Sequence, residues 1–262
     1  MRRLAAATLA LLLASCATDP PALDPHALPE RVAVRPVFFV PAGEAQPGAA
    51  QRDKVAQHLV WARQRYIALL GQAGAFVLDT VTTVVQGEQN EAFYAAQFES
   101  GVPHMTVELL ERWGLTRYSA GWVYVIIVMN RDADVPSGGG RPINGGFNNG
   151  GGIVVMSSYA LDSIAFFQST LRHELGHAFG LVHVELYGRS MDSDSSLMSY
   201  NPAHHSDGFT DSATPGTLGH EERAALALNQ RVFPGLTYSG PVIPTLYGLV
   251  PMTLPGQPDF EP

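Results

Sequence analysis

The chain has 262 residues, 46% of them hydrophobic and 15% charged, which fits a folded globular protein and argues against a disordered one. Its formal net charge is -8. No basic stripe is present to neutralise phosphates, which argues against a nucleic-acid partner, and none is present to act as a polybasic membrane-surface patch.

Chain order begins with a targeting segment, residues 1–15, to be set aside from fold reasoning. Arg2 and Arg3 precede an apolar run, Leu4 to Leu13, that is too short to span a bilayer as a helix. Leu13-Ala14-Ser15-Cys16 follows and resembles the lipobox of bacterial lipoproteins. That resemblance implies lipidation of Cys16, the only cysteine, and a cell-envelope location on a lipid anchor, periplasmic or surface-exposed. Ala17 is not the Asp that resembles an inner-membrane retention signal, which favours the outer membrane if the source is a two-membraned bacterium. With a single cysteine, no disulfide forms within the chain.

Residues 16–30 contain Pro20, Pro21, Pro25 and Pro29 and read as an extended tether. Val32–Val40 is predicted as a first strand. Arg52–Leu70 carries Val55, Leu59, Ala62, Tyr66 and Leu70 at helical intervals and is predicted as an amphipathic helix. Phe76–Val85 is predicted as a second strand, Val107–Trp113 as part of a helix, and Trp122–Met129 as a strand buried on both faces. Residues 137–152 are rich in Gly and Asn and read as a loop. A short strand is predicted over Ile153–Ser158, then a helix capped by Asp162 or Ser163 and running to about Phe179. Glu221–Val232 is predicted as a final helix, before a proline-rich tail over 236–262. These elements make one α/β domain over about 31–235.

The segment His173-Glu174-Leu175-Gly176-His177-Ala178-Phe179-Gly180-Leu181-Val182-His183 matches HExxHxxGxxH. Chance gives these five fixed positions with probability on the order of 10⁻⁵–10⁻⁴ over the chain. His173 and His177 are four apart, so both lie on one helix face and can reach one zinc ion (Zn2+). On a continued helix His183 would lie ~15 Å beyond His173 and could not share that ion. The helix must therefore stop, and Gly180 is where the chain can turn back, because glycine accepts a left-handed conformation. Three neutral histidines leave one coordination position open for an activated water, and Glu174 is placed to accept its proton.

The motif resembles that of the metzincin clan of zinc endopeptidases. Ser196-Leu197-Met198-Ser199-Tyr200, with Met198 fifteen residues after His183, looks like the clan's Met-turn. The resemblance implies an α/β (α+β) fold: a twisted mixed sheet with an antiparallel edge strand, a zinc-binding active-site helix, a Met-turn and a C-terminal helix. It also implies that Met198 forms an apolar base beneath the metal. By the same similarity Tyr200 is an extra ligand or a transition-state donor, as in astacins and serralysins. Ile153, Val154, Val155 and Met156 then correspond to the clan's edge strand, with which a peptide substrate pairs. Leu181 stands where astacins carry Phe, and Val184, after the third histidine, matches no subfamily, so none is assigned.

Other candidates carry weaker signals. The Gly/Asn-rich loop either borders the cleft or is loop filler. Asp132, Asp134, Asp192 and Asp194 are candidate calcium (Ca2+) ligands, although no spacing among them matches a calcium loop. His204 and His205 either line a specificity pocket or sit in a solvated loop, and His220 is read as structural. The expected function is a zinc endopeptidase acting on a peptide or protein substrate. The alternatives are an exopeptidase or cell-wall peptide hydrolase, and a non-catalytic zinc-stabilised envelope lipoprotein with a binding or scaffold role. The sequence does not reach the oligomeric state.

Overall fold

The computed structural model describes residues 32–79, 82–96, 105, 108, 109, 111, 112, 122–130, 138–142, 151–201 and 216–240. The expectations at Cys16, the tether, Asp132, Asp134, His204, His205 and the proline-rich tail from 241 onward lie outside these residues. Of the helix expected over Val107–Trp113, residues 108, 109, 111 and 112 are described, and they are helical.

A six-stranded, mostly parallel sheet forms the centre. Its strands are β1 (Ala33–Val40), β2 (Val77–Leu78), β3 (Thr83–Gln86), β4 (Trp122–Val128), β5 (Gly138–Pro142) and β6 (Gly152–Ser157). The order is β2-β1-β4-β6-β5, with β3 also pairing β1. All pairings are parallel except that of β5 with β6. The helices are α1 (Ala49–Leu70), α2 (Glu91–Ala96), α3 (Ile164–Ala178) and α4 (His220–Leu228).

The continuous apolar runs of β1, β4 and β6 follow from burial of both sheet faces. Val34, Phe38, Val125, Ile127, Val154 and Met156 point to one side, where they pack with Leu59, Ala62 and Tyr66 of α1 and Phe167, Leu171 and Leu175 of α3. Their strand neighbours Val37, Phe39, Tyr124, Ile126, Ile153 and Val155 point to the other side, towards Tyr94, Met105 and Leu109. Two contacts fix α3 against this frame. Tyr66 on α1 donates to the carbonyl of Arg172 at 3.1 Å. At the other end, a Cβ on Gly152 would lie 2.4 Å from the Ala178 carbonyl, so glycine at the start of β6 lets the end of α3 come close.

Four expectations are corrected. The strand expected over Phe76–Val85 is two short strands, both paired with β1. Between them, Asp79 turns its carboxylate to the buried Arg35 guanidinium, 3.3 Å away. The Gly/Asn-rich segment is not all loop, since Gly138–Pro142 pairs antiparallel with β6. Consequently Ile153, Val154, Val155 and Met156 are not an edge. β6 is paired on both sides, and all four residues are 0% exposed. Among the described residues the antiparallel edge strand is β5. The last helix ends at Leu228 rather than Val232. There Asn229 leaves the helix and its side-chain amide donates to the Phe179 carbonyl at 3.0 Å.

Candidate metal centre

His173 and His177 stand on successive turns of α3, facing the same way. The helix then stops by a Schellman arrangement. Leu181 N–H donates to the Gly176 carbonyl and Gly180 N–H to the His177 carbonyl, both at 2.9 Å. Gly180 has φ +102°, a value open to glycine, so the turn-back expected there is where the chain makes it. His183 follows in extended conformation, with a 3-10 turn over Val184–Tyr187 behind it. Val184 is buried in the core, so its contribution is packing.

The three rings converge. Nε2 of His173 lies 3.1 Å from that of His177 and 3.2 Å from that of His183, and the His177–His183 distance is 3.0 Å. Three nitrogens around a tetrahedral zinc, each bonded at ~2.0–2.1 Å, stand ~3.3–3.4 Å apart, so the triangle is close to that size. The proton positions point the same way. His173 Nδ1 lies 2.8 Å from the Leu197 carbonyl and His177 Nδ1 lies 2.9 Å from the Leu181 carbonyl. A carbonyl oxygen only accepts, so each Nδ1 carries its hydrogen and, in a neutral ring, each Nε2 keeps a bare lone pair. Lone pairs aimed at one point repel unless a cation stands between them. Burial, and then the neighbouring His173 and His183 rings, hold the His177 pKa well below its ordinary value. Burial also lowers that of His183, against an opposing pull from Glu185. The donor set therefore fits a metal ion, and it is the one such cluster among the described residues.

Glu174, half-buried, comes next after the first of these histidines on α3. Tyr200 places its hydroxyl 3.1 Å from His183 Nε2 and is 60% exposed. Burial, followed by the carboxylates of Glu174 and Glu185, raises the Tyr200 pKa, so the hydroxyl keeps its proton. Met198 is fully buried, and its sulfur lies against Gly176, between the two histidines of the helix. Asp194 is engaged by Arg189 and by the Ser196 N–H, and Asp192 is exposed. His220 is the first residue of α4.

Sequence reasoning missed several participants. The carbonyls of Leu181 and Leu197 leave no side-chain signal. Gly176 was readable only as one of the motif's variable positions. Arg189, Ser196 and Glu222 are joined around the turn by contacts across the chain. No periodicity announces such contacts.

No family of known sequences matches the chain. No curated protein matches it either. Among solved structures it is similar to wild-type OgpA from Akkermansia muciniphila, with 16% identity and a TM-score of 0.47 over 82% of this chain and 64% of that one. It is also similar to catalytically inactive OgpA in complex with an O-glycopeptide (glycodrosocin) substrate, with 15% identity, a TM-score of 0.45, and 80% and 64% coverage. A third is metalloproteinase-II from Bacteroides fragilis, with 14% identity, a TM-score of 0.40, and 81% and 55% coverage. The chain thus spans less than two thirds of the length of these OgpA chains, at 64%.

Proposed function

We propose that the chain is a zinc-dependent endopeptidase in which His173, His177 and His183 hold one zinc ion and Glu174 is the general base. The observation that carries this reading is the triangle of ring nitrogens, with the Nδ1–H groups of His173 and His177 tied back to carbonyls and a carboxylate adjacent on the same helix.

Zinc bound there supplies Lewis-acid activation of water and of a substrate carbonyl. The chain's own residues supply the rest. The Glu174 carboxylate accepts the proton of the attacking water and delivers it to the departing amide nitrogen. Tyr200, held protonated, donates a hydrogen bond to the carbonyl oxygen as charge develops on it. β5, which packs beside α3 and has no described strand on its outer side, offers backbone groups to an extended peptide. The proposal includes the lipid anchor at Cys16 and an envelope location, on the strength of the N-terminal sequence. No helix among the described residues is long and apolar enough to cross a membrane.

The test is cleavage of a diverse peptide pool by zinc-loaded wild type and Glu174→Gln. The reading expects internal cleavage by the wild type and a loss on the order of 10²–10⁴-fold in the variant, the scale of general acid–base catalysis. Zinc binding without any cleavage would instead favour a non-catalytic binding protein.

A further inference from the structure

Ser196, two residues before Met198, is gripped at two points. Its N–H donates to Asp194 Oδ1 at 2.7 Å, and its hydroxyl donates to Glu222 Oε1. The same hydroxyl oxygen accepts the Met198 N–H at 2.9 Å. Glu222 is 0% exposed, and its other oxygen accepts the Gly219 N–H at the start of α4. Two carboxylates so close, one of them buried, need a countercharge. Arg189 supplies it: Nη1 lies 3.2 Å from Asp194 Oδ1, and Nη2 lies 2.9 Å from Glu222 Oε2. The planar guanidinium spans both carboxylates, which a lysine ammonium cannot do with fixed geometry.

The clamp leads directly to the histidine cluster. Leu197, between Ser196 and Met198, offers the carbonyl that fixes the His173 ring, and Met198 presses on Gly176. At its other end, the Arg189 N–H donates to the carbonyl of Val184, the residue after His183, at 3.2 Å. We propose that Arg189 is a positioning residue of the metal site: by bridging Asp194 and Glu222 it holds the turn that sets the orientation of His173. The role rests on the metallopeptidase reading above.

The experiment compares wild type, Arg189→Ala and Arg189→Lys as full chains. One readout is steady-state cleavage by the zinc-loaded protein. The second is the visible absorption of the cobalt(II)-loaded protein, which reports ligand geometry without turnover. Arg189→Ala is expected to lose about 10–100-fold in kcat with little change in KM, the scale for partners that orient metal ligands, and to show altered cobalt bands. Arg189→Lys, able to meet one carboxylate at a time, recovers only part of both. A folded Arg189→Ala with a lowered Tm but unchanged kcat and cobalt bands would overturn the proposal and leave Arg189 merely structural. If Arg189→Ala does not fold, Arg189→Lys decides on the same two readouts. If the wild type cleaves nothing, the peptidase reading fails, and the cobalt bands still decide the role of Arg189.

Discussion

The sulfur of Met198 occupies the space that a side chain at Gly176 would need: a Cβ there would lie 2.4 Å from Met198 Sδ. Ordinarily, replacing a helical glycine by alanine stabilises a protein by roughly 0.5–1 kcal/mol. Here the sign reverses. Gly176→Ala is expected to destabilise the fold by about 1–3 kcal/mol through overpacking, measured by denaturant unfolding. Met198→Ala destabilises on its own by emptying a buried site, but combined with Gly176→Ala the two changes should cost less than the sum of their separate effects. A stabilised Gly176→Ala would mean that the turn does not pack on the helix as described.

Gly180 carries the other constraint. At φ +102° an alanine pays for a left-handed backbone. Gly180→Ala is expected to cost about 1–2 kcal/mol of stability. Because His183 lies three residues downstream, the same change should also weaken metal binding, read as faster release of zinc to a chelator. Retention of wild-type zinc affinity would show that His183 reaches the metal without this turn.

Tyr200 gives a separable prediction. Its hydroxyl faces His183 but the three ring nitrogens converge without it. Tyr200→Phe is expected to keep zinc and lower kcat on the order of 10²–10³-fold, the loss usual for one oxyanion donor. Stoichiometric zinc with unchanged kcat would remove Tyr200 from the reaction.

Stability should fall in mild acid through His58. This fully buried ring packs on Phe167, with centroids 4.6 Å apart, and burial lowers its pKa from 6.5 to about 4. The unfolded chain therefore binds the extra proton first. Stability is lost as pH drops from about 6.5 to about 4, by roughly 3 kcal/mol in all. Urea unfolding of the metal-free chain across that range should show a shallower slope in His58→Phe than in wild type, the remainder coming from His177 and His183, whose pKa values are also lowered. An equal slope in both would assign the acid sensitivity elsewhere.

What the sequence made legible, and what it hid, follows from the range of each interaction. β1, β4 and the body of α1 are carried by local apolar patterns, and α1 begins earlier than expected because Ala49 and Ala50 form helix without adding to the stripe. The stop at Gly180 was legible because ligand spacing and helix rise cannot both hold without it. β5 was hidden because Gly138, Gly139 and Gly140 have no side chains on which an alternation could be read; only pairing with β6 makes them a strand. That omission moved the expected edge one strand inward, onto residues that are core. The Arg189 bridge was hidden because the carboxylates it joins, Asp194 on one side and Glu222 with the more distant Glu221 on the other, lie on separate elements brought together by tertiary packing.

The central claim, that three histidine rings hold one zinc ion, is tested most directly by X-ray absorption on the zinc-loaded full chain with its metal stoichiometry. The account predicts one zinc per chain, with three imidazole nitrogens at ~2.0–2.1 Å, and loss of that signature in His183→Ala. A wild-type chain that binds no stoichiometric zinc, or a spectrum that His183→Ala leaves unchanged, would contradict it.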